Sequence, residues 1–166
     1  MARWRPPRPK SSPYITPAGE RALQSELRDL WKKRRTEVVP ALSAAAAEGD
    51  RSENAEYIYR KRQLAEIDRR VNYLSRRLDA VEVVRQAPPA RDRVYFSAYV
   101  TLSDPEGETR TYRIVGADET DAPLGYISVD SPLARALLGK RKGDSVAVSL
   151  PDGSAEYCIE SIDYEN

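Results

Sequence analysis

The sequence predicts an α+β protein that begins with an antiparallel coiled-coil hairpin of two long helices. A small antiparallel β domain with one short helix follows. Up to residue 81, apolar residues recur at spacings of three and four, which is typical of helices that pack along a narrow seam. After the proline-rich stretch "RQAPPAR" at residues 85–91 they alternate with polar residues, which is typical of strands. No apolar run approaches the ~20 residues that cross a bilayer, so we expect no membrane association.

Composition divides the chain into four segments. Residues 1–13 form a basic leader with four prolines and no apolar periodicity, which we expect to be disordered. A coiled-coil arm is expected at 14–85, a proline-rich linker at 86–91 and a compact domain at 92–166. We place these boundaries where the hydrophobic period changes or where prolines end a helical pattern.

The residue types present restrict the chemistry that this protein can perform. The 166-residue chain contains no histidine and a single cysteine, Cys158. It therefore lacks the parts for a Ser-His-Asp triad, for a Cys-His dyad and for a zinc site made of His or of several Cys ligands. One cysteine also excludes an internal disulfide and fits a reducing compartment, so we expect the cytoplasm.

Charge is distributed unevenly along the chain. Residues 1–16 hold four basic and no acidic side chains, whereas residues 86–166 hold eight basic and fourteen acidic ones. A basic first half favours a nucleic acid or another phosphate-rich partner for that half. The alternative is the ordinary scatter of charge on solvated helices.

The first long helix is expected from Pro17 to about Ala47. Thr16 supplies a hydroxyl N-cap, and proline suits the first helical position because its missing N–H has no partner there. Pro40 lies inside the helical pattern, where proline removes a hydrogen bond and clashes with the preceding turn. We therefore expect a bend or irregularity near residues 36–40.

The second long helix has the clearer pattern. Its apolar residues follow a heptad seam: Tyr57, Leu64, Ile67, Val71, Leu74, Leu78 and Val81. Because a matching helix precedes it across a short link at Gly49, we expect the two helices to form an antiparallel hairpin.

The compact domain is expected to contain five strands and one helix. Three strands are predicted at 94–102, 109–116 and 125–131. A short helix then starts at Ser131 and Pro132 and stops at Gly139. Two further strands, "SVAVSL" and "AEYCIESI", are joined by a Pro-Asp-Gly turn.

The hairpin tip, "EGDRSEN", concentrates carboxylates, and two interpretations are open. Asp50 and Glu53 have the spacing of a capping box, in which Asp50 is the helix N-cap and Glu53 reaches back to it; Ser52 is an alternative cap. The same two carboxylates also supply hard oxygen ligands of the kind that Mg²⁺ prefers. A pair alone is an incomplete metal site, so a second macromolecule would have to complete it.

Basic residues follow the tip along the second helix. Candidates for contact with a nucleic acid backbone are Arg60, Lys61 and Arg62. The alternative is a solvated helix face with pairs four residues apart, such as Glu56 with Arg60.

The tip and the stretch after the third predicted strand resemble a known family. "GDRSENAEY", "EIDRRVNYL" and "YISVDSPLARALLGKRKGD" are similar to the bacterial Gre transcript-cleavage factors, and to the GreB branch more than to the GreA branch. The resemblance extends from Tyr14 to about Tyr164. It implies a coiled-coil arm followed by an FKBP-like domain without isomerase activity.

The resemblance also implies a function and site residues. Such factors dock their C-terminal domain on the secondary channel of RNA polymerase and insert the coiled coil. The implied docking residues are Asp130, Ser131 and Pro132. Asp50 and Glu53 are implied to be catalytic, helping to hold Mg²⁺ in the polymerase active centre and orienting the attacking water; the isolated protein would hold no metal stably.

The partners implied are bacterial RNA polymerase and the RNA 3′ end of a backtracked complex. We expect a monomer that is not an enzyme by itself, because the polymerase hydrolyses its own transcript. Two alternatives stay open. One is a secondary-channel regulator of initiation that stimulates no cleavage, and the other is a coiled-coil interaction module whose acidic tip is only a helix cap.

Overall fold

The computed structural model describes residues 9–49 and 53–165. The chain forms two compact units: one is Glu20–Val81, and the other joins the described residues up to Gly19 with those from Glu82 onward. The segment boundaries drawn from composition stay a prediction. Across the described residues, no helix has the length and apolar character needed to cross a membrane.

Helix α1 covers Pro17–Lys33, and its N-terminus is built as the sequence predicts. The Thr16 hydroxyl oxygen accepts a hydrogen bond from the Gly19 N–H at 3.1 Å, which satisfies one of the free donors of the first turn. Thr16 is 1% exposed, and its own N–H donates to the Glu119 carboxylate at 3.0 Å. The predicted N-cap is therefore confirmed.

The irregularity expected before Pro40 is a π-helical turn. Arg34–Val38 form this turn, and helix α2 follows at Val39–Ala47 with Pro40 in its first turn. The Val39 N–H donates to the Arg34 carbonyl five residues earlier. Such single π turns relieve a helix where the usual hydrogen bond cannot form, as at a proline that lacks an N–H.

The π turn also changes which residues face inward. Plain three-four spacing from Leu30 would direct residues 37 and 44 towards the partner helix. The extra residue in the turn shifts the inward positions to Val38 and Ala45, which are 0% and 3% exposed. One inserted residue thus keeps the apolar seam continuous past the proline.

Helix α3 covers Ala55–Ala80 and runs antiparallel to the first half of the arm. The seam between them buries Val38, Ile67 and Val71, with Leu27, Leu30 and Leu64 packed at its edge. Ion pairs cross the seam from Arg34 to Asp68 at 2.8 Å and from Arg70 to Glu26 at 2.6 Å. The predicted coiled-coil hairpin and the α+β class are confirmed.

Two short strands lie where the chain enters and leaves the arm. Strand β1 (Tyr14–Ile15) pairs in parallel with β2 (Glu82–Val83). The Glu82 N–H donates to the Pro13 carbonyl at 2.7 Å. The sequence analysis did not predict these strands, because a two-residue parallel pair leaves no periodic pattern.

The remaining elements form one sheet and one helix: β3 (Tyr99–Ser103), β4 (Thr109–Val115), β5 (Tyr126–Ser128), α4 (Pro132–Leu137), β6 (Ser145–Leu150) and β7 (Gly153–Asp163). The strand order is β5-β4-β3-β7-β6. The sheet is mixed and not wholly antiparallel as expected, because β5 pairs in parallel with β4. A parallel pair needs a crossover, and the chain between these strands is too long to be a hairpin turn.

The core of this unit lies under the sheet, against α4. Its buried members include Val94, Val100, Leu102, Ile114, Leu137 and Ile159. The strand predicted at 94–102 is wrong in its first half: Ser97 has a φ of 71°, a backbone conformation that breaks an extended strand, and β3 begins only at Tyr99.

Candidate functional site

The tip of the arm lies between the end of α2 and the start of α3. Helix α2 ends at Ala47, and Gly49 then adopts a φ of +133°, which favours glycine because side chains clash there. Asp50 and Ser52, which the sequence singles out, lie outside the described residues. Glu53, the next described residue, lies two positions before the start of α3 at Ala55.

Asn54 is the N-cap of α3. Its Oδ1 atom accepts a hydrogen bond from the Tyr57 N–H at 3.1 Å. The capping-box prediction is therefore wrong in its placing of Glu53, which directly precedes the cap, whereas a capping box places the glutamate inside the first turn. The physical reason is that the helix starts later than the carboxylate spacing indicates. Asp50 and Ser52, the predicted caps, lie outside the described residues.

The Asn54 side chain also reaches the other helix. Its Nδ2 atom donates to the Ala45 carbonyl at 2.7 Å, in the last turn of α2. The same carbonyl also accepts from the Glu48 N–H at 3.2 Å, so the Asn54 amide adds a second hydrogen bond to it. One amide therefore connects both helix ends at the base of the tip.

Glu53 is exposed and makes no hydrogen bond or ion pair with the described residues. Its carboxylate therefore remains available as a hard oxygen ligand, the donor type that suits Mg²⁺. Within residues 9–49 and 53–165, no group of three or more His, Cys, Asp or Glu side chains is placed to hold a metal.

The three basic candidates on α3 differ in their surroundings. The Arg60 guanidinium pairs with Glu56 at 2.7 Å and donates to the Gln63 amide oxygen at 3.0 Å. The predicted pair four residues apart is thus confirmed for Arg60. Lys61 and Arg62 are exposed and have no hydrogen bond or ion pair within the described part of the chain. Their charges are the ones most accessible to a polyanion.

The second candidate region is the start of α4. Ser131 is its N-cap, with a hydroxyl oxygen that accepts from the Ala134 N–H at 3.2 Å, and Pro132 occupies the first helical position. Asp130 is half-buried, and its carboxylate accepts from the N–H of Ser12 at 2.8 Å and from the Ser12 hydroxyl. The Asp130 carboxylate is thus already engaged within the chain.

A concavity of about 390 Å³ lies beside this helix start. Tyr112, Tyr126 and Ile127 provide its apolar wall, and Ser131 forms part of its edge. An apolar recess beside an exposed proline and a half-buried carboxylate is the kind of surface that binds a protein partner.

Comparison with known proteins identifies the family. The model described as "Transcription elongation factor, N-terminal" matches residues 13–83, and the one described as "Transcription elongation factor, GreA/GreB, C-term" matches residues 88–164. The chain belongs to the GreA/GreB family of transcription elongation factors. The resemblance inferred from the sequence is confirmed.

Individual relatives agree with this assignment to the GreA/GreB family. The chain is 60% identical to the transcription elongation factor GreB of Xanthomonas axonopodis pv. citri, over 99% of this chain and 98% of the relative. It is 52% identical to the GreB of Pseudomonas aeruginosa, over 99% and 98%. Among solved structures, it matches the GreA factor homolog 1 of Thermus thermophilus with a TM-score of 0.43 and 24% identity, covering 90% of this chain and 97% of that one.

Both candidate regions fall inside the GreA/GreB matches. The tip lies in the N-terminal match and the start of α4 in the C-terminal one. Sequence reasoning missed two residues here, Asn54 and Ser12. Asn54 carried a signal, since asparagine is a favoured N-cap residue. Ser12 carried none, because its partner is 118 residues away.

Proposed function

We propose that this chain binds bacterial RNA polymerase through its secondary channel and stimulates cleavage of the RNA 3′ end in backtracked complexes, so that transcription resumes. The observation that carries the proposal is the cap of α3. Asn54 performs the capping, so the tip carboxylate described here, Glu53, has no structural task within the described residues. A solvent-facing carboxylate at the end of an arm is suited to act inside a partner.

In this proposal the chain supplies ligands and orientation, and the polymerase performs the hydrolysis. The carboxylates of Asp50 and Glu53 provide oxygen ligands for Mg²⁺ in the active centre of the polymerase. Mg²⁺ bound there would activate the attacking water and offset charge on the phosphate. The carboxylates hold that water in line by accepting hydrogen bonds from it. The chain is therefore a cofactor of the polymerase and not an enzyme by itself.

Docking and RNA contact are assigned to separate surfaces. Pro132 and Ser131, beside the apolar recess, contact the polymerase, and Asp130 shapes that edge through its bonds to Ser12. Lys61 and Arg62 contact phosphates of the extruded RNA, with Arg60 contributing less because Glu56 neutralises it. The chain acts as a monomer, since one arm fills one channel.

A cleavage assay on a defined backtracked elongation complex, with labelled RNA and Mg²⁺, tests the proposal. The samples are no factor, the wild-type chain, Asp50→Asn, Glu53→Gln and Glu48→Gln. Glu48 is the matched control, because its carboxylate is exposed at the same tip. Its cap on α2 uses the backbone N–H, which the substitution leaves in place. Wild type and Glu48→Gln should release a 3′ fragment, and the other two should lose most of the stimulation.

Two results would reject this function. If the wild-type chain binds polymerase but does not accelerate cleavage, the chain is a channel-binding regulator. If all the variants stimulate equally, the carboxylates have no role in the chemistry and the arm is an interaction module. Polymerase binding is measured in parallel, so that a loss of docking is not read as a loss of chemistry.

A further inference from the structure

We infer that Asn54 is a positioning residue for the tip, with a role that its helix cap alone does not explain. The inference rests on the proposed function. The Asn54 side chain uses its acceptor and its donor at once: Oδ1 takes the Tyr57 N–H of α3, and Nδ2 reaches the Ala45 carbonyl of α2. One side chain therefore binds both the end of α2 and the start of α3, the two helix ends that flank the tip.

The bond to Ala45 joins the two helices, which the bond to Tyr57, within α3, cannot do. Ala45 and Asn54 are nine residues apart, and the tip lies between them. Without the bond, the Ala45 carbonyl keeps only the Glu48 N–H of its own helix end, and the link from the end of α2 to Asn54 is lost. Because Glu53 directly precedes Asn54, movement of this anchor moves the Glu53 carboxylate.

The chemistry of asparagine makes the two functions separable. An ionised aspartate accepts hydrogen bonds but cannot donate, so it retains the cap on α3 and loses the link to Ala45. Serine also caps helices well, adds no charge and is too short to span the same gap. Both replacements preserve the start of α3 and remove the link across the hairpin.

The test compares Asn54→Asp and Asn54→Ser with wild type in the cleavage assay. The control is Glu26→Gln, which breaks the bidentate pair with Arg70, a different link between the two helices away from the tip. Three quantities are measured: the maximal rate at saturating factor, the factor concentration for half-maximal rate, and the Mg²⁺ concentration for half-maximal rate. Circular dichroism checks the helix content of each variant.

We expect both Asn54 variants to keep their helix content and half-saturating factor concentration. Their maximal rate should fall on the order of tenfold to a hundredfold, as expected when a reacting group is displaced by about 1 Å. Their Mg²⁺ requirement should rise, because a displaced carboxylate is a poorer ligand. Glu26→Gln should match wild type in all three quantities.

The outcomes separate this inference from the proposed function. A wild-type chain without stimulation overturns both. Wild-type stimulation together with an unchanged maximal rate in Asn54→Ser overturns the inference alone. An equal loss of rate in Glu26→Gln also overturns it, because any weakening of the arm would then suffice.

Discussion

The π turn in the arm makes a sharp prediction about two adjacent valines. Val38 is 0% exposed and packs with Ile67 and Val71, whereas Val39 is 38% exposed. Replacing each in turn with alanine applies the same chemical change at neighbouring positions. Val38→Ala should destabilise the arm strongly, and Val39→Ala should leave its stability nearly unchanged.

The size of the effect follows from burial. Val38→Ala removes two buried methyl groups, a transfer term of about 1.6 kcal/mol at ~0.8 kcal/mol each. The cavity left behind adds to this, so we expect a total loss of about 2–3 kcal/mol in the free energy of unfolding. Val39→Ala should stay within about 0.5 kcal/mol, which is usual for surface changes.

Urea unfolding followed by circular dichroism at a helix-sensitive wavelength measures both variants. Most helical residues belong to the unit Glu20–Val81, so this signal reports on the arm. For a unit of this size, each 1 kcal/mol lowers the thermal midpoint by roughly 4–8 °C, which provides a second readout. Equal losses for the two valines, or a larger loss for Val39, would refute the inward shift caused by the π turn.

Three further predictions follow from named contacts. Reversing the charges of residues 60–62 should slow cleavage of long backtracked transcripts while polymerase binding is retained; unchanged cleavage would contradict RNA contact. The hydrogen bond from Arg70 lowers the pKa of Glu26 from its ordinary value, so the pair stabilises the arm above the unfolded-state pKa and loses this contribution as pH falls through the folded-state value. Between pH 7 and pH 3, the free energy of unfolding should therefore fall less in Glu26→Gln than in wild type, as urea unfolding at the two pH values measures. The difference should be below about 1 kcal/mol, because both side chains are more than a third exposed. Thr16→Ala should cost about 1–3 kcal/mol by removing a buried cap, while Thr16→Ser retains most of the stability in the same unfolding assay.

The arm illustrates which structural features the sequence could predict. Heptad spacing and the cap at Thr16 are local patterns, and both predictions are confirmed. Pro40 predicted an irregularity for a local reason, its missing N–H. The form of the irregularity could not be predicted from the local sequence. The π turn places Val38, and not residue 37, against α3, and that depends on contacts with the other helix.

The unit that contains the five-stranded sheet was harder to predict where its contacts join distant parts of the chain. The hydrogen bonds between Ser12 and Asp130 span 118 residues, and the pairing of β1 with β2 involves two residues on each side. Neither leaves a periodic signal. The parallel register of β5 on β4 was missed for the same reason, since period-2 alternation indicates a strand but not the direction of its neighbour.

The tip shows why residue spacing alone left two interpretations open. Asp50, Ser52 and Asn54 are all favoured N-cap residues, so local propensity cannot choose among them. A tertiary contact accompanies the cap at Asn54, which caps α3 and also reaches the carbonyl of Ala45 in α2. Because Asn54 is the cap, Glu53 lies outside the helix. A neutral side chain therefore does the structural work at the tip, which frees this carboxylate to act in the chemistry we propose.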